Sequence, residues 1–245
     1  MKKLLQAFVL ILFSPFVMAS DLRVAVASNF KTAMDVLVPI FEAESGHTVD
    51  VSTASSGKLF AQLRHGAPFD VFMSADTVKP EQLIKMGLAE ADSAVVYATG
   101  RLVLWAPKAR FVDRSYLHTS RSIAIANPRH APYGMAAMAT IDTLFQGTEH
   151  ELALRSGENV GQTFQFVRAA HVDAGFVALA QVRQLKIPEH EYWLIPDYCH
   201  LPIEQEAVIT RHGSSNHASA EWLRFLKRES TQRIIQTLGY KPIEH

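Results

Sequence analysis

The sequence predicts an α/β protein of two lobes, each a parallel or mixed β-sheet with flanking helices, joined by a two-crossing hinge. Three observations predict this fold. Short apolar segments rich in β-branched residues alternate with segments of helical periodicity, which is typical of parallel sheets covered by helices. The strand-like segments form two groups that separate near residue 100, and one late segment returns to the first group. The length of 245 residues suits one large domain or two modest ones.

The first group contains three strand-helix repeats, which predict a parallel sheet with helices on both faces. A hydroxyl-amide pair, Ser28-Asn29, ends the first strand, Gly46 ends the first helix, and Asp76 is expected to cap the third helix. In chain order the predicted elements are strand 22–27, helix 30–45, strand 48–54, helix 58–66, strand 69–75 and a helix to residue 87.

The second group begins with a strongly apolar strand that Pro107 ends, followed by a polar connection at 108–120. The remaining predicted elements are strand 121–128, helix 135–146, an ambiguous segment at 151–156, helix 160–171, strand 174–178, helix 178–185 and strand 192–196. Strand 203–210 and a helical tail at 218–239 complete the chain, and the tail is expected to pack on the first lobe. We therefore expect lobe I to comprise residues 20–99 and 204–245 and lobe II residues 100–203.

Residues 1–19 have the composition of a secretory signal peptide. Lys2 and Lys3 precede an apolar run that ends in small residues at Ala19. The run is shorter than the roughly 20 residues that a membrane-spanning helix needs. We expect export, cleavage after Ala19 and a periplasmic location, where the single cysteine, Cys199, is expected to be a buried or merely incidental thiol.

Charge and composition exclude several classes of function. The apolar content of 48% and charged content of 20% describe an ordinary globular protein. Lys+Arg and Asp+Glu number 24 each, and this balance argues against a nucleic-acid-binding or membrane-binding surface. Any anion that the protein binds must therefore be attracted by local groups.

Four strand-to-helix junctions carry hydroxyl, amide or glycine residues: Ser28-Asn29, Ser55-Ser56-Gly57, Tyr133-Gly134 and Asn159-Val160. Each alone is an ordinary helix cap or turn. Their coincidence in both halves is more informative, because such junctions share the carboxyl edge of a parallel sheet, where ligands bind. The first turn of a helix has unpaired N–H groups and attracts anions. Since each helix start carries roughly half a positive charge, four of them offset about two negative charges. The sequence thus predicts one small oxyanion held without cationic side chains.

Five segments in this order resemble the periplasmic molybdate-binding proteins of ABC importers, over essentially the whole chain after residue 19: DLRVAVASNF, TASSGKL, FDVFMSAD, NPRHAPYG, and ENVGQTF followed by AGFVALAQV. The resemblance implies a type II periplasmic binding protein that captures molybdate or tungstate and delivers it to an inner-membrane permease. It also implies a monomer with no cofactor, no enzymatic activity and no bare metal cation, since molybdenum would be held through its oxygens.

The resemblance further implies which residues hold the ion. Ser28 and Asn29 match the first junction, and Ser56 supplies the hydroxyl of the Ser-Ser-Gly turn. Tyr133 would donate its backbone N–H from the Pro-Tyr-Gly turn, and Val160 would donate its own from the next helix start. One departure concerns residue 178, which is Ala here and Tyr in some members of the family.

Two alternatives stay open at the level of the sequence. The first is binding of another tetrahedral oxyanion, sulfate or phosphate; phosphate keeps a proton near neutral pH and would favour a carboxylate acceptor, for which Glu158 is the candidate. The second is an exported α/β hydrolase, although the G-x-S-x-G motif is absent. A phosphate-binding loop at Gly57-Lys58 is disfavoured because the upstream Gly is missing and Leu59 replaces Ser or Thr.

Overall fold

The computed structural model describes residues 21–107, 109–146 and 152–243, so the predicted signal peptide at 1–19 lies outside it. Within these residues the chain forms two five-stranded sheets. The strands are β1 Leu22–Ala27, β2 Val49–Ala54, β3 Val71–Met73, β4 Val95–Gly100, β5 Leu102–Trp105, β6 Ser122–Ala126, β7 Ala153–Gly157, β8 Ala174–Ala178, β9 Tyr192–Leu194 and β10 Ile203–Ile209. The helices are α1 Lys31–Ser45, α2 Ser56–Arg64, α3 Val78–Lys85, α4 Tyr116–Thr119, α5 Pro132–Phe145, α6 Val160–Arg168, α7 Leu179–Gln184, α8 His217–Lys227 and α9 Glu229–Thr237.

The first sheet has the strand order β2-β1-β3-β10-β4. Its central strand β1 is parallel to β2 and β3, while β10 runs antiparallel to β3 and β4. Helices cover both faces of the sheet, since Leu22, Val24 and Val26 of β1 are fully buried on one face and Ala25 is fully buried on the other. Because β1, β2 and β3 are parallel, their carboxyl ends lie at one edge of the sheet.

The second sheet repeats this plan in the order β7-β6-β8-β5-β9. Strand β6 is parallel to β7 and β8, and β5 is antiparallel to β8 and β9. One crossing between the sheets is short, since β4 ends at Gly100 and β5 begins at Leu102, and the chain returns through residues 195–202 into β10. The predicted fold class, two mixed sheets joined by two crossings, is confirmed. The boundaries of the two lobes remain a prediction.

Several predicted boundaries were wrong. Strand β4 was not predicted; it is the edge strand of the first sheet, and its pairing with β10 stabilises it. The ambiguous segment is strand β7, and the polar connection contains the one-turn helix α4. Helices α2 and α5 begin two and three residues earlier than expected, at Ser56 and Pro132. The N-cap of α3 is Thr77 and not Asp76 as predicted, but the Asp76 Oδ1 still accepts a hydrogen bond from the Lys79 N–H in the first turn (3.1 Å).

The C-terminal tail packs on the first lobe as expected, but it is two helices rather than one. Extended backbone at Arg228, with ψ of 139°, separates α8 from α9. Trp222 of α8 is fully buried and its ring meets that of Phe41 edge-on at 5.1 Å. Cys199 is also buried, as predicted, and burial raises the pKa of its thiol. Among the described residues, no helix combines the length and apolarity needed to cross a membrane.

Candidate binding site between the lobes

A small cavity of about 10 Å³ lies between the two lobes. Sites for drug-sized ligands are far larger, roughly 300–1,000 Å³, so this cavity suits nothing larger than a small ion. The four predicted junctions all contribute to its wall, and the five predicted residues are among those that line it. The lining residues are Ala27, Ser28, Asn29, Ser55, Ser56, Ala75, Ala131, Pro132, Tyr133, Asn159 and Val160.

The first junction follows β1, which ends at Ala27. Residues Ser28–Phe30 form one 3-10 turn that continues into α1, so the chain turns sharply at the edge of the sheet. Asn29 is buried, with 1% of its surface exposed, and its Nδ2 donates to Gln205 Oε1 (2.8 Å). The Ser28 hydroxyl oxygen accepts a long hydrogen bond from the Gly161 N–H of the other lobe (3.4 Å).

The second junction is the start of α2. Ser55 caps this helix, and its Oγ lies 3.4 Å from the Lys58 N–H. Ser56 is the first helical residue and is 1% exposed. Its Oγ accepts a hydrogen bond from the Ala75 N–H (2.9 Å), which fixes the oxygen and leaves the hydroxyl hydrogen available to an acceptor in the cavity.

The third and fourth junctions are the starts of α5 and α6. The Pro-Tyr-Gly segment is the first turn of α5, and not a turn before the helix as predicted, because Pro132 stands at the position where helices tolerate proline best. Asn159 caps α6, its Oδ1 accepting from the Gln162 N–H (3.0 Å). The N–H groups of Tyr133 and Val160 lie in first turns, where no intrahelical acceptor exists.

The cavity wall carries no formal charge on any of the described residues that line it. An ion pair flanks the site: Lys58 Nζ of α2 lies 2.9 Å from Glu158 Oε1 of the other lobe, with both side chains about half exposed. Burial raises the pKa of Tyr133, with the amides of Gln205 and Asn29 partly opposing this rise, so its hydroxyl stays neutral. Any anion here would meet only neutral dipoles.

The two lobes touch each other at the start of α2, next to the cavity. The Gly57 N–H of α2 donates to the His130 carbonyl oxygen (2.9 Å), and the Lys58–Glu158 pair lies beside it. A Cβ at position 57 would approach His130 Cα to 2.9 Å, so the approach of the lobes requires glycine there. The structure is therefore a closed arrangement of the lobes.

A layer of polar side chains beneath the cavity was not predicted. Gln205 Oε1 accepts from Asn29 Nδ2, and the Tyr97 hydroxyl lies 3.1 Å from the same oxygen. The Tyr240 hydroxyl donates to the Asn29 carbonyl oxygen (2.9 Å). One signal could have found Gln205: it occupies a buried position of β10, where the alternate residues Ile203, Ala207 and Ile209 are apolar.

Residue 178, the one departure from the family pattern, does not line the cavity. Ala178 is fully buried at the end of β8, and its N–H donates to Gln181 Oε1 (3.0 Å). The same Gln181 side chain reaches the Val160 carbonyl oxygen with its Nε2 (3.4 Å). Ala178 is thus connected to the cavity only indirectly, through the Gln181 side chain that contacts the start of α6.

The chain is similar to known solute-binding proteins in sequence and in structure. Residues 22–241 match the family model for bacterial extracellular solute-binding proteins. The chain is 36% identical to the molybdate-binding protein ModA of Azotobacter vinelandii over 91% of this chain and 90% of that protein. It is 35% identical to ModA of Rhodobacter capsulatus over 91% and 88%. The solved structure of the Azotobacter vinelandii periplasmic molybdate-binding protein superposes with a TM-score of 0.83 at 34% identity, covering 91% of this chain and all of that one.

Proposed function

Because this chain belongs to the family of bacterial extracellular solute-binding proteins, we propose that it captures molybdate in the periplasm. The observation that carries the proposal is the uncharged cavity in which helix starts from both lobes converge. The matches in family and structure are to binding proteins, which confirms the expectation that the chain is not an enzyme. The named relatives that share at least 35% identity both bind molybdate.

The chemistry of the wall supports a doubly charged, fully deprotonated ion. Hydroxyl groups of Ser28 and Ser56 and backbone N–H groups of Tyr133 and Val160 can donate, and helix starts favour negative charge. Charge-assisted hydrogen bonds contribute about 1.5–3 kcal/mol each. Several such bonds, less the cost of ordering the site, support a Kd of about 1 μM or below.

Phosphate fits this wall less well than molybdate does. Hydrogen phosphate carries a proton near neutral pH and needs an acceptor such as a carboxylate. Glu158, the candidate acceptor, does not line the cavity and pairs with Lys58 instead. Sulfate lacks a proton but is smaller than molybdate, so a rigid closed wall would leave its hydrogen bonds stretched.

The resemblance and the relatives also suggest a second ligand, a transport partner and an export signal for this protein. Tungstate matches molybdate in size and charge, so we propose that it binds equally well. We propose that a monomer carries the ion to an inner-membrane ABC permease, without a cofactor. Residues 1–19 would be the export signal that brings the protein to the periplasm.

The proposal is tested by calorimetric titration of the purified protein, lacking residues 1–19, with four anions. We expect molybdate and tungstate to bind at one site with a Kd of about 1 μM or below, and sulfate and phosphate to bind at least about 100-fold more weakly. If sulfate bound as tightly as molybdate or more tightly, molybdate would not be the specific ligand. If the protein hydrolysed an ester substrate and Ser56→Ala lost that activity, the protein would be an enzyme and not a binding protein.

Removal of single hydroxyl groups should weaken binding without unfolding the protein. We expect Ser28→Ala and Ser56→Ala each to reduce the free energy of molybdate binding by about 1–3 kcal/mol, because each deletes one donor to a charged ligand. Val160→Ala is the matched control, since only its backbone faces the ion, and calorimetry should show an affinity close to that of the wild type. Unchanged affinity in both serine variants would remove these residues from the site.

A further inference from the structure

Beneath the cavity, Gln205 lies where side chains of the two lobes meet. It is fully buried on β10, next to the crossing between the lobes, and its Oε1 accepts from Asn29 of the first lobe. Tyr133, from α5 of the second lobe, reaches the same place with its phenol ring and is 2% exposed. A Cβ built on Gly100 would lie 2.3 Å from the Tyr133 hydroxyl and 2.9 Å from Gln205 Nε2. Both polar atoms therefore border one spot that the glycine leaves free.

These two atoms are buried and unpaired in the closed structure. Neither Gln205 Nε2 nor the Tyr133 hydroxyl makes a hydrogen bond of good geometry with any of the described residues, although the amides of Gln205 and Asn29 lie near enough to that hydroxyl to oppose the rise of its pKa. An unsatisfied buried polar group is unfavourable, and most buried polar groups in proteins are paired. The two are chemically complementary, because the amide N–H donates and the hydroxyl oxygen accepts.

We propose that Gln205 is a positioning residue that couples the two halves of the oxyanion site, pairing its Nε2 with the Tyr133 hydroxyl when the ion is bound. This inference rests on the proposed function. Through Oε1 the amide holds Asn29, which precedes α1 and lines the cavity. Through Nε2 it would hold the ring of Tyr133, whose backbone N–H lies at the start of α5. One side chain thereby fixes both groups relative to each other without touching the ion.

Tyr97 provides an internal control within the same layer. Its hydroxyl lies 3.1 Å from Gln205 Oε1 and 3.0 Å from the Ser74 carbonyl oxygen. Tyr97, Gln205 and Ser74 all belong to the first sheet or to the strand end beside it, so this contact does not cross between the lobes. A Tyr97→Phe substitution makes the same chemical change as Tyr133→Phe but leaves the coupling between lobes intact.

The experiment is a double-mutant cycle in molybdate binding, with Tyr133→Phe, Gln205→Met and the combined variant, all keeping the backbone donors. We expect Tyr133→Phe to weaken binding about 10-fold in the wild-type background, as expected for one lost hydrogen bond in a buried site, and by less than about 2-fold in Gln205→Met. The loss should appear as faster dissociation in stopped-flow measurements. The unfolding midpoint of the ligand-free Tyr133→Phe protein should stay close to that of the wild type.

Tyr97→Phe should show the opposite signature, a lower unfolding midpoint without ligand and a dissociation rate within about 2-fold of the wild type. If Gln205→Met does not fold, the comparison of Tyr133→Phe with Tyr97→Phe decides alone, since only the former should speed dissociation. Equal losses from Tyr133→Phe in both backgrounds, no loss at all, or faster dissociation in both phenylalanine variants would overturn the inference. Wild-type protein that binds no molybdate would instead overturn the proposed function, and the inference with it.

Discussion

Gly57→Val is expected to weaken molybdate binding by at least about 100-fold while the ligand-free protein keeps its stability. The reason is the contact between the lobes at this position. Gly57 donates its N–H to the His130 carbonyl oxygen (2.9 Å), and even a Cβ would come within 2.9 Å of His130 Cα. A backbone atom cannot rotate away as a side chain can, so the lobes must separate. Hydrogen bonds to an ion held from both sides lengthen together, and they weaken steeply with distance and angle.

The matched control for Gly57→Val is Lys58→Ala, one residue further along α2. This change removes the ion pair between Lys58 and Glu158. Because both side chains are about half exposed, the pair stabilises the contact by at most about 1 kcal/mol. Calorimetry should therefore show a loss of no more than a few-fold for Lys58→Ala. Gly57→Ala should lie between the two variants. Wild-type affinity in Gly57→Val would show that the ion does not need this closed arrangement.

Ser56→Asp is expected to abolish molybdate binding, with a loss above about 1,000-fold, whereas Ser56→Asn should lose far less. Two unit charges about 4 Å apart interact by about 4 kcal/mol at an effective dielectric constant of 20, and the ion carries two charges. Ser56 is 1% exposed, and the lining residues supply no cation to offset a carboxylate. Asn has nearly the shape of Asp without its charge, so the difference between the variants isolates electrostatic repulsion.

The measurement is the Kd of both variants by calorimetry between pH 5 and pH 8, with thermal unfolding to verify the fold. Protonation of the introduced carboxyl group removes its charge, so the affinity of Ser56→Asp should rise towards that of Ser56→Asn as the pH falls. Similar affinities for the two variants at pH 8 would mean that the ion does not lie beside Ser56.

Local patterns in the sequence were sufficient to predict those elements whose ends are marked by an apolar run, a capping residue or a glycine. The apolar run of β1 and the glycine after α1 define that unit, and Gly46 does adopt the left-handed conformation expected of it, with φ of 76°. Asn159 caps α6 at the predicted residue. Strand β4 and the break at Arg228 were missed, because pairing with β10 and packing against the first lobe decide them.

By itself the sequence determined the two-lobed α/β class and the four junctions, because periodicity, capping residues and glycines act over a few positions of the chain. Only the tertiary structure decided how these junctions are used. It brought Gly57 against His130, joined Lys58 to Glu158, and placed Gln205 between Asn29 and Tyr133. These contacts join residues far apart in sequence across the crossing of two lobes, and no local pattern encodes the geometry in which the lobes close.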